Sequence, residues 1–113
     1  MSYYETRPWG WFETVLNGPQ YQVKQLVVNA NQRLSLQKHE HREEHWVVVG
    51  GCGTITVGDE SFPAVPGTTA FIPKGEWHRL EAGDSELKLI EVQRGSFLYE
   101  EDITRKCDDY GRK

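Results

Sequence analysis

The sequence predicts an all-β barrel or sandwich, built as one domain over residues 1–113. Short segments rich in Val, Ile, Leu and aromatic residues recur along the chain, and Gly and Pro separate them. This spacing is typical of short strands joined by tight turns. The chain contains no internal repeat, low-complexity tract or linker, so its 113 residues are expected to build a single core.

The first predicted strands are YQVKQLVVN (21–29) and RLSLQ (33–37). Both carry apolar residues at alternating positions, the period that brings side chains to one face of a strand. HWVVV (45–49) is β-branched and ends at the turn signal GGCG. TITV (54–57) follows, and Gly58-Asp59 is a suitable tight turn for a hairpin in this region. Residues 61–65, 69–73 and 87–93 complete the predicted strands.

Residues 1–12 and 100–113 are expected to be terminal extensions of the domain. Trp9 and Trp11 are expected to cover one end of the barrel or a dimer seam. The C-terminal stretch EEDITRKCDDYGRK is highly charged and has few apolar residues. We therefore expect it to form one helical turn at most and to dock loosely before a solvated tail.

Composition excludes several classes of partner. The chain has 13 Lys and Arg against 17 Asp and Glu, a net charge of −4, which argues against nucleic acid. It has no apolar run long enough to span a membrane, and its aromatic, charged start does not resemble a signal peptide. A cytoplasmic location is therefore expected. In a reducing compartment Cys52 and Cys107 are expected to be free thiols.

The segment QKHEHREEHW holds three of the four histidines and three glutamates. His39 and His41 are two residues apart, so on a strand both imidazoles would face one side, together with Gln37. Glu44 and His45 are adjacent, so only one of them can face the same side in an extended segment. Taken alone, this segment is equally compatible with a solvated charged loop.

A fourth histidine, His78, follows a strand and the turn Pro73-Lys74-Gly75. The resulting ligand set is His39, His41, Glu44 and His78, with His45 as the alternative to Glu44. Imidazole and carboxylate ligands without thiolate suit one divalent ion of Zn, Fe, Mn, Co or Ni. Ligands from two distant segments leave coordination positions open, as in a catalytic site.

The chain resembles the cupins, small β-barrel proteins with two sequence motifs. Gly67, Pro73, Gly75 and His78 match the second motif, and Ala82 replaces its final Asn. In the first motif His39 and His41 match and Glu44 stands at the right distance before Gly51, although the gap after His41 is one residue short. The resemblance implies a cupin-type double-stranded β-helix, or jelly-roll barrel, and favours Glu44 as the fourth ligand.

A narrower resemblance covers Arg7 to Arg112. The segments RPWGWFE, YQVKQLVV, RLSLQKHEHREEHWVVVGG, FIPKGEWHRLE, LIEVQRGSFLYEEDI and DDYGR are similar to the type II mannose-6-phosphate isomerase domain. That domain usually forms the C-terminal part of a bifunctional protein with mannose-1-phosphate guanylyltransferase. The nucleotidyltransferase half is absent from this sequence, so guanylyl transfer is not expected. The resemblance implies interconversion of mannose 6-phosphate and fructose 6-phosphate with a bound metal, zinc being the first expectation.

Isomerisation of this kind needs a base and a cationic phosphate contact. Whichever of Glu44 and His45 is not a ligand could be the base if it faces the cavity, and Glu43 and Glu91 are alternatives. We expect Arg42 and Arg105 to be the principal phosphate contacts. The expected catalytic residues are Glu44, His45 and Arg105, and the expected substrate-binding residues are Arg42, Arg79 and Lys74.

Two alternatives to the isomerase remain open from the sequence. The first is a non-catalytic cupin that holds a metal and binds a sugar phosphate or a related small ligand. The second is another metal-dependent cupin activity, such as an oxygenase or an epimerase. In either case an exposed edge strand favours pairing of two copies, so a homodimer is expected.

Overall fold

The structure, a computed structural model, describes residues 3–112, and across this range it is built from β-strands in two antiparallel sheets. One sheet has six strands in the order β1-β2-β3-β10-β5-β8, and the other has five in the order β11-β4-β9-β6-β7. The strands are β1 (Tyr3–Arg7), β2 (Gly10–Gly18), β3 (Tyr21–Val28), β4 (Leu36–Lys38), β5 (Arg42–Gly50), β6 (Gly53–Val57), β7 (Glu60–Ala64), β8 (Thr69–Ile72), β9 (His78–Ala82), β10 (Leu87–Gly95) and β11 (Thr104–Lys106). The predicted all-β class is confirmed.

Strict alternation along the central strands separates the core from the outer surface. In β5 and β10 every second residue is buried, and Trp46, Val48 and Leu89 pack into the interior. Ile55 and Leu80 face them from the second sheet and belong to the same cluster. Burial of these side chains stabilises the two sheets against each other, at about 25 cal/mol for each Å² removed from water.

The inward positions change character along these two strands. Arg42 and Glu44 precede Trp46 on the buried face of β5, and Glu91 and Gln93 follow Leu89 on that of β10. The register places Glu91 beside Trp46 and Gln93 beside Glu44. One end of the interior is therefore apolar and the other end is polar, and this polar end contains the site.

The predicted hairpin turn is confirmed, because β6 and β7 pair around Gly58-Asp59 and Gly58 has the positive φ of 60° that favours glycine. The sequence did not predict β9, which begins at His78. It also placed the start of the strand that begins at Arg42 three residues too late. Cys52 and Cys107 are free, as expected. No helix in residues 3–112 is long and apolar enough to cross a membrane.

The expectation for the C-terminal stretch is wrong. The stretch contains strand β11, which pairs with β4, where a helical turn was expected. It is also firmly docked, because the buried Asp102 carboxylate accepts hydrogen bonds from the backbone amides of Glu40 (3.0 Å) and His41 (2.9 Å). Tyr110, whose hydroxyl donates to Gln32, packs against the core. Hydrogen bonds between polar groups attach this segment to the rest of the domain. The expectation of loose docking considered only the number of apolar residues and therefore missed them.

Candidate metal centre

Three buried side chains converge at the polar end of the interior. His39 lies just after β4, Glu44 is on the inward face of β5, and His78 opens β9. One potential ligand atom from each lies within 4.8 Å of the other two. Strands β4 and β9 are neighbours, with Gln37 opposite His78, so the second sheet brings the two histidines together.

The turn before β9 is tied directly to the segment that carries His39. Gly75 has a φ of 77°, and its amide donates a 2.7 Å hydrogen bond to the carbonyl oxygen of His39. The carbonyl oxygen of Glu76 then lies 3.0 Å from Nδ1 of His78. Gly75 therefore supplies the left-handed conformation that the turn requires, and the turn fixes the orientation of one imidazole.

Backbone carbonyls also set the tautomers of both imidazoles. His39 Nδ1 is 2.7 Å from the carbonyl oxygen of Asp102, and His78 Nδ1 makes the equivalent contact with Glu76. Because a carbonyl only accepts, each Nδ1 carries a proton, and in the neutral ring Nε2 is then the nitrogen with the lone pair. These Nε2 atoms lie 3.4 Å (His39) and 4.0 Å (His78) from the Glu44 carboxylate. This pattern is typical of metal-binding histidines.

His41 does not join the group, and the expectation that it faces the same side as His39 is wrong. Strand β4 ends at Lys38, and the chain turns between residues 39 and 41, so the alternation rule does not apply there. The exposed His41 ring packs edge-on against Phe97, with 5.6 Å between ring centroids.

Glu44 and His45 lie on opposite faces of β5. Alternation along β5 buries Glu44 and turns His45 outward, where its side chain is 50% exposed and its Nε2 lies 3.3 Å from Glu43. The exposed ring of Phe71 packs against His45. His45 and Glu43 therefore do not face the cavity, which removes the geometric condition for either to act as the base. Glu91, the other predicted alternative for the base, faces inward and is 5% exposed.

The Glu44 carboxylate is the centre of a buried hydrogen-bond network. Arg42 Nε donates to its Oε2 at 2.8 Å, and Trp46 Nε1 donates to its Oε1 at 3.0 Å. The same indole N–H lies 3.2 Å from Glu91, which also accepts a 2.6 Å hydrogen bond from Gln93 Nε2. Arg42 Nη2 lies 3.2 Å from Nε2 of His39, so an ion bound there would have to displace this contact.

Burial and neighbouring charges set the protonation states of Glu44, Glu91 and His39. Burial opposes ionisation of Glu44, but Arg42 and then the two histidines hold the pKa of its carboxyl well below the usual range. Burial and then the charge of Glu44 raise the pKa of Glu91 to about 8. Burial lowers the pKa of His39 to about 4. Near pH 7 the site therefore combines an ionised Glu44, a largely protonated Glu91 and a neutral His39.

The donor set fits a divalent ion such as zinc, since it offers two unprotonated imidazole nitrogens, that of His39 once Arg42 has moved away, and one carboxylate. Gln37, two residues before His39, lines the same cavity and adds an amide oxygen. Two buried atoms here, Arg42 Nη1 and Gln93 Oε1, have no hydrogen-bond partner among residues 3–112. Buried polar groups are rarely left in this state, so the cavity is suited to a polar ligand.

The remaining predicted residues divide between this cavity and other places. Arg42 and Arg105 line the cavity, whereas Arg79 and Lys74 do not. Arg79 donates to the carbonyl oxygens of Leu34 (3.0 Å) and Cys107, which attaches the C-terminal segment to the second sheet. Lys74 is exposed on the turn before β9.

Sequence reasoning missed several cavity residues. They are Arg7, Lys24, Gln93, Glu100 and Arg112. Lys24 and Gln93 were open to prediction by strand alternation. Lys24 lies on the same face of β3 as Leu26 and Val28, and Gln93 lies on the same face of β10 as Leu89.

This arrangement defines the class of the protein: it is a cupin, with the double-stranded β-helix fold. A crystal structure of a cupin 2 conserved barrel domain protein from Rhodopseudomonas palustris matches with a TM-score of 0.69. The match covers 74% of this chain and 59% of the other at 21% sequence identity, and this likeness shows the fold alone.

Sequence comparison gives the family. The chain belongs to the mannose-6-phosphate isomerase C-terminal family, whose model matches residues 2–108. It is 47% identical over 107 residues to the xanthan biosynthesis protein XanB of Xanthomonas campestris, covering 94% of this chain and 23% of that protein. It is 43% identical to a mannose-1-phosphate guanylyltransferase of Escherichia coli, covering 94% and 22%. The chain spans less than a quarter of the length of either relative.

Proposed function

We propose that this domain is a metal-dependent aldose–ketose isomerase that interconverts mannose 6-phosphate and fructose 6-phosphate. The buried His39–Glu44–His78 group carries the proposal, because its two imidazole rings and its carboxylate face one cavity. Membership of the mannose-6-phosphate isomerase C-terminal family supports this choice of substrate. The cationic lining of the cavity supports a phosphorylated sugar.

His39, Glu44 and His78 would hold the ion, and Gln37 offers a further oxygen donor. When bound, a divalent ion such as zinc polarises a carbonyl group and stabilises developing negative charge on oxygen. Arg42 would turn its guanidinium from His39 toward the substrate, since its Nη1 already lacks a partner within residues 3–112. The hydrogen bonds of His39 to Asp102 and of His78 to Glu76 would keep both imidazoles oriented throughout.

We propose Glu91 as the general base in its ionised form, which is the minor form near pH 7. The charge of Glu44 helps to keep Glu91 protonated, and a divalent ion held by Glu44 would oppose that charge and so increase the ionised fraction. The reaction moves a proton between C1 and C2 of the sugar through an enediolate, so one group must accept the proton and return it. Glu91 is a buried carboxyl that lines the cavity beside Glu44. Gln93 and Trp46 each donate a hydrogen bond to it, which holds its oxygens in a defined orientation.

We also propose a homodimer. Val47, Val49 and Phe71 are each more than 40% exposed on the outer face of β5 and β8, and β8 is an edge strand. Exposed apolar side chains beside an unpaired strand edge favour association with a second copy. Light scattering would test this, with a mass twice the chain's 13.0 kDa expected. The expected cytoplasmic location stays a prediction.

Turnover tests the isomerase directly. The chain, stripped with EDTA and reloaded separately with Zn, Co, Mn, Ni or Fe(II), should convert mannose 6-phosphate to fructose 6-phosphate. His78→Ala should abolish turnover, and His41→Ala, which changes an exposed imidazole outside the buried group, should retain it. A protein that binds metal but forms no fructose 6-phosphate with any of these ions would refute the isomerase. That result would favour the alternative of a non-catalytic cupin that binds a sugar phosphate.

A further inference from the structure

The cavity is positively charged within an acidic chain. Five cationic side chains line it, Arg7, Lys24, Arg42, Arg105 and Arg112, against three carboxylates, Glu44, Glu91 and Glu100. The whole chain has the opposite balance, with 13 Lys and Arg against 17 Asp and Glu. A local excess of positive charge on a concave surface attracts small anions.

Lys24 is the least expected of these cations. It lies on the inward face of β3 and is only 6% exposed, although lysines are rarely buried without a partner. Its ammonium group lies 4.4 Å from the centre of the Phe12 ring and 2.8 Å from the Glu100 carboxylate. Withdrawing an ammonium group from water is costly, so a lysine in this position requires an anion beside it.

Arg7 reaches the same place from the end of β1. Its guanidinium lies 5.0 Å from the centre of the Phe12 ring, and its Nη2 is 3.7 Å from Glu100. Arg7 and Lys24 therefore contact both the same ring and the same carboxylate. Phe12 is buried, and both cationic groups lie over its ring, which makes the pair a preformed anion contact.

Glu100 supplies that anion, and it comes from a segment outside the strands. Residues 96–103 connect β10 to β11 without forming a strand, and the Glu100 side chain is 53% exposed. Burial opposes its ionisation, but Lys24 and then Arg42 and Arg7 lower the pKa of its carboxyl. Because Glu100 is half in solvent, it can leave the two cations without opening a buried cavity.

We propose that Arg7 and Lys24 bind the phosphate group of the substrate and that the Glu100 carboxylate competes with it for the same place. A phosphate monoester is a closer match than a carboxylate, since it carries more charge and three acceptor oxygens. The identity of the sugar rests on the proposed function, whereas the phosphate contact is testable without turnover.

Two further features support an anion site. Arg42 is 6% exposed, lines the same cavity, and its Nη1 has no hydrogen-bond partner within residues 3–112. Burial and then the charge of Arg112 lower the pKa of Arg105, which shows that cations are crowded here. Bound phosphate would relieve this repulsion.

Glu100 lies two residues before Asp102, and Asp102 anchors the segment 96–103. The Asp102 carbonyl oxygen accepts from His39 Nδ1, and its carboxylate accepts from two backbone amides. This anchor lets Glu100 swing away while the hydrogen bond to His39 stays in place. Release of Glu100 is therefore compatible with an intact metal centre.

The test is calorimetric titration of inorganic phosphate into the full chain, treated with EDTA so that phosphate cannot bind a metal ion. Lys24→Met should weaken phosphate binding at least tenfold, because a charge-assisted contact is lost. Glu100→Gln should strengthen it severalfold. Glu101→Gln, an exposed neighbour with the same change in net charge, should leave it within twofold. Lys88→Met on the outer face of β10 is the matched control for Lys24→Met.

Unchanged phosphate affinity in Glu100→Gln, or equal gains in Glu100→Gln and Glu101→Gln, would overturn the proposal. Because Glu100 is half exposed, this variant gives an answer even if Lys24→Met fails to fold. The affinity for mannose 6-phosphate should change across the variants in the same direction as the affinity for inorganic phosphate. The affinity for mannose should not change in this way. If these shifts occur without turnover by the metal-loaded protein, the phosphate contact stands and the isomerase fails. If the metal-loaded protein turns over but these shifts in affinity do not occur, the isomerase stands and the phosphate contact fails.

Discussion

Removal of the Glu44 charge should be compensated by its neighbour Glu91. Breaking a buried ion pair by deleting one partner typically costs about 3–5 kcal/mol of folding free energy, because the other charge is left unpaired. Arg42 would be that stranded charge, since its Nε lies 2.8 Å from Glu44 and its side chain is 6% exposed. Burial and then the charge of Glu44 raise the pKa of Glu91; in Glu44→Gln the second of these causes disappears while Arg42 remains.

Glu91 should then ionise near pH 7 and balance Arg42. We expect Glu44→Gln to cost about 1–2 kcal/mol, less than the usual value for a broken buried pair. Glu91→Gln should not lower stability at pH 7, because a largely protonated carboxyl is replaced by a neutral isostere and the unfolded chain no longer gains by ionising it. The double variant removes both possible charges and should cost about 3–5 kcal/mol. The coupling between the two sites is then at least about 1 kcal/mol.

Urea unfolding of the metal-free proteins at pH 7, followed by tryptophan fluorescence, measures all three differences at constant m. Additive costs, with Glu44→Gln alone near 4 kcal/mol, would refute the compensation. The pH dependence gives a second readout. The folded-state pKa of Glu91, about 8, is above its unfolded value of 4.5. Its contribution to stability is thus complete below pH 4.5 and is lost as the pH rises through 8, so the stability of Glu91→Gln relative to the wild type should increase over this range.

Two further outcomes follow from the same contacts. Because burial lowers the pKa of His39 from 6.5 to about 4, its contribution is present above pH 6.5 and is lost as the pH falls through 4. Acid titration of the metal-free protein should show a loss of roughly 3 kcal/mol over this range, and His39→Gln should remove that loss. Asp102→Ala should lower stability in urea by about 1–3 kcal/mol, since two backbone amides lose their acceptor. Asp109→Ala, at an exposed ion pair with Arg33, should cost less than Asp102→Ala, and equal losses would contradict the role of Asp102 as acceptor for the two amides.

The sequence predicted the strands whose inward residues alternate regularly, and this rule placed much of the core. The same rule explains the choice between Glu44 and His45, because once β5 begins at Arg42 only Glu44 can face inward. It failed at His41, where β4 has already ended and the chain turns. That turn depends on hydrogen bonds to the side chain of Asp102, about 60 residues away in sequence, and no local pattern reveals such a partner.

The cationic cavity was harder to predict for a related reason. Arg42 and Arg105 were identified, but Arg79, chosen because it follows His78, is used to hold the C-terminal segment. Lys24 lies within an apolar strand, and its pairing with Glu100 joins residues 76 positions apart. Contacts between distant segments are set by the packing of the two sheets, which the sequence pattern does not specify.

Metal stoichiometry of ligand variants tests the central claim, that His39, Glu44 and His78 form one metal site. Elemental analysis after zinc loading and gel filtration should find one zinc per chain in the wild type, His41→Ala and His45→Ala. It should find none in His39→Ala, Glu44→Gln and His78→Ala, with folding checked by circular dichroism. Zinc at 100 times its dissociation constant should stabilise the first group by about 2.7 kcal/mol and leave the second unchanged. Full zinc content in the second group, or its loss from His41→Ala, would contradict the account.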